Sequence, residues 1–398
     1  MSIPTNPAIP KVIVVLGLVS LFMDISSEMI HALLPVFMVT VLGSSATTVG
    51  IIEGLGEGLA LIVRVFSGAL SDWLARRKRL ILIGYLLGTL SKPLFAIATA
   101  SGMVMFARSI DRIGKGIRGA PRDALIADIS PKEMRGAAYG LRQSLDSLGA
   151  LLGPLLAIVL MALTMNDYRQ VFLYAVIPGS ISLLLIIFFV KEPVLQAAAA
   201  HLPLKRDETH ALPSVYWWVL GIGICFTLAR FSEAFMILRG ESLGLDIYLI
   251  PSILMTMSLF YTLGAYPAGR WSDRLGRVSI LRIGLLMLII ADLILANASS
   301  ILHVFIGAAL WGLHMAFSQG IFSALVADSV TETLRGTAFG LYGLATGCAI
   351  IIASVFAGWL WDQFGAHVTF YAGVVFSLLT LLGLQLVSKR ITTTTIEV

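Results

Sequence analysis

Apolar runs of membrane-spanning length recur along almost the whole chain, parted by short polar loops, and this pattern restricts the fold more than any single motif. A helix that crosses a bilayer needs about 20 mostly apolar residues. It also satisfies its own backbone N–H and C=O groups within lipid. By length and loop signals, spans are expected in the first half at residues 12–42, 47–71, 79–98, 103–127, 136–162 and 170–190. In the second half they are expected at 213–238, 247–270, 279–297, 302–327, 336–360 and 369–388. Composition agrees. Hydrophobic residues make up 58% of the chain and charged residues 13%, against roughly 25% charged in a soluble domain.

The formal charge of +5 is what a positive-inside bias of the loops produces, and it does not call for nucleic acid. Cys225 and Cys348 fall inside apolar runs and form no disulfide framework, CxxC pair or zinc pattern. Lys11 precedes an apolar run that reaches Val41 without a small-residue cleavage site, so a retained first helix is expected rather than a removed signal. Basic residues sit on one set of loops: Arg76 to Arg79, Lys132, Arg135, Lys191, Lys205, Arg206, Arg274, Arg277, Arg335, Lys389 and Arg390. The opposite loops hold only Arg169 and Arg239. Both termini and the linker are therefore expected in the cytoplasm, with the protein in the bacterial inner membrane.

An internal repeat divides the chain. ALIADISPKEMRGAAYGL begins at Ala124 and ALVADSVTETLRGTAFGL at Ala324. Asp128, Arg135, Gly136, Gly140 and Leu141 return 200 positions later as Asp328, Arg335, Gly336, Gly340 and Leu341. Chance likeness between apolar helices does not explain polar matches in loops at one offset. The expected organisation is a six-helix bundle over residues 1–190, a polar linker over 191–212 and a second six-helix bundle over 213–398. Such parallel repeats put a substrate site near the midplane between the halves.

GALSDWLARRKRL (Gly68 to Leu80) and GRWSDRLGRVSIL (Gly269 to Leu281) occupy matching places in the two halves. They resemble the glycine–aspartate–arginine loop of major facilitator superfamily carriers, although Trp73 and Ala75 replace the usual arginine and glycine in the first copy. Gly68 and Gly269 permit close helix approach. Asp72 and Asp273 can pair with basic residues or cap a helix and so latch one conformation, with Arg76, Arg277, Asp128, Arg135, Asp328 and Arg335 around them. A purely topological role for the charged loop is the plainer alternative. Arg112-Ile-Gly-Lys-Gly116 resembles the fourth-helix motif of proton-linked members. Ser147 to Pro154, with Gly149, Gly153 and Pro154, resembles the fifth-helix antiporter motif, but Leu155 and Leu156 stand where a glycine pair is usual. Spaced small residues also serve plain helix packing. The resemblance covers nearly the whole chain. It implies twelve helices in two pseudo-twofold-related bundles and alternating-access transport.

Charges within spans are costly and tend to be functional. Asp24, Glu28 and His31 share one face of the first helix by spacing, and Glu53, Glu57 and Arg64 are compatible with one face of the second. The fourth helix carries Arg108, Asp111, Arg112, Lys115, Arg118, Arg122 and Asp123, and the fifth carries Arg142 and Asp146. The second half is poorer, with Arg230 and Glu233 expected as neighbours on the seventh helix and His314 on the tenth. Proton coupling is assigned to Asp24 or Glu28 with Arg112, Glu53 and Glu57. The substrate cavity is assigned to His31, Arg108, Lys115, Arg142, Asp146, Phe226, Arg230, Glu233 and His314. A static salt-bridge network that only orients helices is the competing reading. The basic stripe Arg108, Arg112, Lys115 and Arg122 suits an anionic substrate unless its charges are paired internally.

Met103, Met105, Met255, Met257, His31, His314 and Cys225 offer soft metal ligands, but methionine is a common core filler, and no metal or other cofactor is assigned. No P-loop or hydrolase motif occurs, so the chain is not expected to be an enzyme. The leading expectation is a monomeric, proton-coupled carrier that exports a small organic molecule, with the substrate, protons and the bilayer as its partners. Uptake of an anionic nutrient or a metal-chelating compound such as a siderophore is the second. A non-transporting receptor or scaffold is an alternative of another class.

Overall fold

A computed structural model describes residues 10–74, 76–131, 134–192 and 206–394, with the side chains of Arg206, Asp273 and residues 387–394 outside it. Most of the expected linker, Lys132, Lys205 and the Asp273 side chain therefore lie outside the described residues.

Twelve long helical segments run through the described residues. In the first half they are α1 (Lys11–Val41), α2 (Ala46–Leu74), α3 (Arg77–Ala96), α4 (Ser101–Ile129), α5 (Arg135–Leu163) and α6 (Tyr168–Phe189). In the second they are α7 (Ser214–Ser242), α8 (Ile247–Ser272), α9 (Arg277–Ala296), α10 (Ile301–Asp328), α11 (Arg335–Phe364) and α12 (Ala366–Thr394). Ten are long and apolar enough to cross a membrane. The other two, α2 and α4, are as long (29 residues each) and carry charged residues along their length, which in α4 lower the hydropathy. These two lie inside the bundle, where neighbouring helices neutralise charges that lipid would reject.

The chain alternates direction at each loop. One end of the bundle carries Arg76 to Arg79, Arg135, Arg277 and Arg335 and is the basic end. The opposite end carries the α1–α2 and α11–α12 turns. In the first half α1 packs on α5 and α6, and α4 packs on α2 and α3. In the second, α7 packs on α11 and α12, and α10 packs on α8 and α9. Each contact thus recurs six helices later, which is the pseudo-twofold repeat in three dimensions.

The halves meet along two seams related by that repeat, α2 on α11 and α5 on α8. The α2–α11 seam is made close by glycine. A Cβ added at Gly58 would stand 2.6 Å from the Gly347 carbonyl oxygen, and one at Gly358 would stand 2.7 Å from the Thr47 Cα. At the opposite end the seam is tied by Asp362. Its carboxylate accepts from the Ala46 N–H at 3.0 Å, the Thr47 N–H at 2.8 Å and the Thr47 hydroxyl at 2.5 Å. An acid there satisfies free N–H groups and complements the helix dipole, here from the other half. The α1 segment Leu34–Val36 also meets the α7 segment Ala234–Ser242 at this end. The halves are therefore closed at the opposite end.

Two expected continuous helices are interrupted. In α1 the α-helix ends at His31 ahead of Pro35, and a π-helical turn covers Phe37–Val41. In α7 the helix stops at Ala229 and restarts at Ala234. The periodicity of the sequence does not mark that second break. Arg230 and Glu233 flank it and form no ion pair within 4.0 Å among the described residues, because the three-residue neighbour rule holds only in an unbroken helix. Gly68 and Gly269 are not at close approaches either. A Cβ at Gly68 would meet Ala120 at an ordinary 3.5 Å, and one at Gly269 would meet nothing within 4 Å.

Candidate functional site

The charges of the first half form two connected groups. The deeper one begins on α1, where Glu28 lies 3.3 Å from His31 Nδ1. The other face of the ring, Nε2, lies 3.6 Å from fully buried Glu53 on α2. Glu53 is in direct contact with Arg108 of α4. Glu57, one turn along α2, lies 3.8 Å from Arg108 and 3.0 Å from Arg112. Arg112 Nε is 3.7 Å from Asp111, which binds Lys92 of α3 at 2.7 Å. Lys92 also donates to the Ser27 hydroxyl of α1 at 3.1 Å.

Charge balance gives this chain of contacts its chemistry. Four acids (Glu28, Glu53, Glu57 and Asp111) face three fixed cations (Lys92, Arg108 and Arg112). His31 sits between two of the acids and balances the set only when it carries a proton. Buried ions are tolerated when they are paired, so the group as a whole has a place for one exchangeable proton.

The second group lies nearer the basic end. Asp146 contacts Arg142 and is 4.0 Å from Arg122. Asp123 holds Arg64 at 3.0 Å and Arg122 at 3.5 Å. Arg122 donates to the Ser20 hydroxyl at 2.7 Å, and Arg118 lies over the Tyr85 ring at 4.7 Å. A cavity of about 350 Å³ runs between the groups, lined by Asp24, Glu28, Glu57, Arg64, Lys115, Arg118, Arg122 and Asp146. Asp24, Lys115 and Arg118 have no oppositely charged partner within 4.0 Å among the described residues.

The glycines of α5 place the acids of α1. A Cβ at Gly149 would come within 2.9 Å of Asp24 Cβ, and one at Gly153 within 2.6 Å of Glu28 Cβ. Only residues without a side chain let α1 lie this close, so Gly149 and Gly153 set the depth of both carboxyls.

The sequence-predicted residues separate into three sets. Asp24, Glu28, Glu57, Lys115 and Asp146 line the cavity, and Arg142 supports it through Asp146. His31, Glu53, Arg108 and Arg112 lie in the buried ion chain behind it. His31 and Arg108 thus belong to the buried ion chain rather than to the cavity lining. His314 and Phe226 are not in the cavity. His314 is fully buried with Nδ1 2.8 Å from the Gly284 carbonyl oxygen, and its ring lies 5.5 Å from that of Phe226. Both belong to the packing of the second half, because α10 turns that face toward α9 and α7. Arg230 lies over the Phe226 ring at 5.5 Å.

At the basic end Arg77, not Arg76, makes the contacts expected of the loop, 3.4 Å from Asp72 and 2.9 Å from Asp128. Its counterpart Arg277 contacts Asp328. Arg76 instead occupies the N-cap of α3, and Arg335 is 3.4 Å from Glu332. Each latch pair joins residues of one half. The sequence reading did not single out Lys92, Asp292 or Asp362. A lone ionisable residue inside an apolar run was the available signal for the first two.

The Major Facilitator Superfamily model matches residues 16–255 and 219–394. This chain belongs to that superfamily. It is accordingly a membrane transporter and not an enzyme. An uncharacterized MFS-type transporter of Methanocaldococcus jannaschii is 32% identical over 377 residues, which cover 93% of each chain. The multidrug resistance protein MdtH of Cronobacter sakazakii is 25% identical, across 89% of this chain and 85% of its own. A crystal structure of a POT family transporter in complex with a thioalcohol conjugated peptide superposes with a TM-score of 0.80 at 15% identity, covering 96% of this chain and 97% of that one. At that identity the likeness concerns the fold alone.

Proposed function

We propose that this transporter couples proton movement to export of a small organic molecule, and that the buried chain from Glu28 through His31 and Glu53 to Arg108 is the coupling element. The observation that carries the reading is the balance among the groups in direct contact, where Glu28, Glu53, Glu57 and Asp111 outnumber Lys92, Arg108 and Arg112 by one and a proton on His31 makes the count even. A proton alters the balance between two conformations only if it binds them differently. His31 bridges α1 and α2, so its protonation changes how tightly those helices are held together.

The basic loops support, by the positive-inside rule, a cavity that opens to the cytoplasm, with both termini in the cytoplasm and the protein in the cytoplasmic membrane. With the opposite end closed, the geometry is that of an inward-facing carrier ready to load from the cell interior. The similarity to MdtH, a multidrug resistance protein, supports export. Across both groups, eight fixed cations (Arg64, Lys92, Arg108, Arg112, Lys115, Arg118, Arg122 and Arg142) face seven acids (Asp24, Glu28, Glu53, Glu57, Asp111, Asp123 and Asp146). That surplus favours a substrate bearing a carboxylate or another anionic group. The same surplus supports a second reading, proton-driven uptake of an anionic nutrient.

Reconstituted vesicles test the proposal. A thermal-shift screen finds a ligand through its stabilisation of the folded state, and flux of that ligand is then followed with and without an imposed pH gradient. Gradient-dependent efflux in the wild type, lost in His31→Asn, is the expected result. Flux indifferent to the gradient overturns the coupling, and accumulation in the reverse sense selects uptake.

A further inference from the structure

The second half contains an ionisable residue for which the transport scheme above has no use. Asp292 lies in the last third of α9, four residues before its end at Ala296, and is fully buried. Neither carboxyl oxygen has a hydrogen-bond partner among the described residues, and no cation lies within 4.0 Å among them. Gly373 and the Phe231 ring, which lie against it, are apolar. The site exists because α12 has no side chain there: a Cβ at Gly373 would crowd Asp292 Oδ2, and the Phe231 ring edge closes the same spot at 3.1 Å. Phe231 in turn packs on Phe235, Trp311 and Phe370, with ring centroids 5.5, 5.7 and 5.7 Å away.

The repeat makes the situation sharper. Two hundred positions earlier stands Lys92, at the same place on α3, with its counter-ion Asp111 on α4 at 2.7 Å. The position matching Asp111 is Trp311, whose indole N–H is itself buried without a partner. Among the described residues, none of the charged groups on the packed elements forms an ion pair with Asp292. On α7, Arg230 lies over Phe226 and Arg239 donates to the Leu295 and Ala298 carbonyl oxygens. Glu233 is acidic. On α10, His314 is bonded to the Gly284 carbonyl oxygen. On α12, the Tyr371 hydroxyl donates to Asn297 near the end of α9, and His367 lies further toward the turn.

We propose that Asp292 is a second proton-binding site, independent of the His31 network, which holds a neutral carboxylic acid in the closed packing of α7, α9 and α12 seen here. An unpaired carboxylate in that place is strongly disfavoured by the loss of its hydration; one bound proton removes the charge without needing a partner. The wall made by Phe231 lies in the break of α7, between Ala229 and Ala234. A broken helix is where a transporter segment moves most readily. Displacement of that segment would open Asp292 to water and release the proton. The inference does not depend on the direction of transport.

The test uses the full-length protein in detergent and in nanodiscs. Infrared spectra at pH 7.5 should show a free-acid carbonyl stretch that is lost in Asp292→Asn and retained in Asp24→Asn. Phe231→Leu, which admits water, should shift or weaken the same band and serves if the first variant does not accumulate. The linkage has a definite sign: a carboxyl that holds its proton more tightly when folded makes stability fall as pH rises. Unfolding of the wild type between pH 5 and pH 8 should therefore become easier by up to about tenfold per pH unit more than in Asp292→Asn. A carbonyl band unaffected by both substitutions overturns the proposal. So does a wild-type thermal midpoint that rises with sodium at constant ionic strength and fails to do so in Asp292→Asn, since that result assigns a metal cation instead of a proton.

Discussion

Matching helices of the two halves share a length, a fold and a packing scheme, yet they solve the problem of a buried interior in opposite ways. Between α3 and α4 lie Lys92, Arg108, Asp111 and Arg112, tied into one ion chain. At the equivalent places on α9 and α10 stand Asp292, Ala308, Trp311 and Gly312, embedded in aromatic and aliphatic packing. The backbone scheme therefore does not require charge. The first half keeps its ion pairs at a cost in desolvation, which is the behaviour expected of a working element, while at these places the second half holds a single acid, Asp292, with no ion-pair partner among the described residues.

The largest test of that contrast is to remove one member of the buried pair. Lys92→Met should destabilise the protein by about 3–5 kcal/mol, since Asp111 is left buried without its nearest cation. Adding Asp111→Leu should restore much of the loss and make the first half resemble the second. Thermal unfolding of the single and double variants decides it, and equal damage from both would mean the contrast is not one of charge pairing.

Next in size is the effect of His31. Losing its charge-assisted contacts removes roughly 1.5–3 kcal/mol, so gradient-driven flux in His31→Asn should fall about ten- to a hundredfold while gradient-independent exchange persists. Exchange and driven flux falling together would assign His31 to substrate handling.

The ends of the molecule give a smaller contrast. At the opposite end Asp362 joins the halves, whereas at the basic end Arg77 and Arg277 bond within their own halves. Asp362→Ala should cost about 1 kcal/mol as the loss of a helix cap and raise opening at that end several-fold. Maleimide labelling of a cysteine placed at buried Val49, with Cys225 and Cys348 replaced, would report it. Arg77→Ala should change unfolding by under about 1 kcal/mol, as partly exposed pairs do, and should leave labelling at Val49 unchanged.

Much of this architecture was legible in the residue order. Apolar length located the twelve long helical segments within a few residues, ten of them apolar enough to cross a membrane, because partition into lipid adds up along a local stretch. The match of residues 124–141 with 324–341 revealed the duplicated halves. Spacing brought Glu28 to His31 and Arg142 to Asp146, since both pairs lie about one turn apart on unbroken helix.

Other features depended on contacts between helices that residue order does not encode. The break in α7, the choice of Arg77 over Arg76, and the burial of His314 were decided by neighbours distant in sequence. The pairing of Lys92 with Asp111 and the hold of Asp362 on the α2 N-terminus were settled in the same way. The physical reason is directional. Hydropathy asks only whether a segment leaves water, and each residue answers alone. An ion pair or a helix cap asks where one side chain points relative to another element, and only the packed bundle supplies that angle.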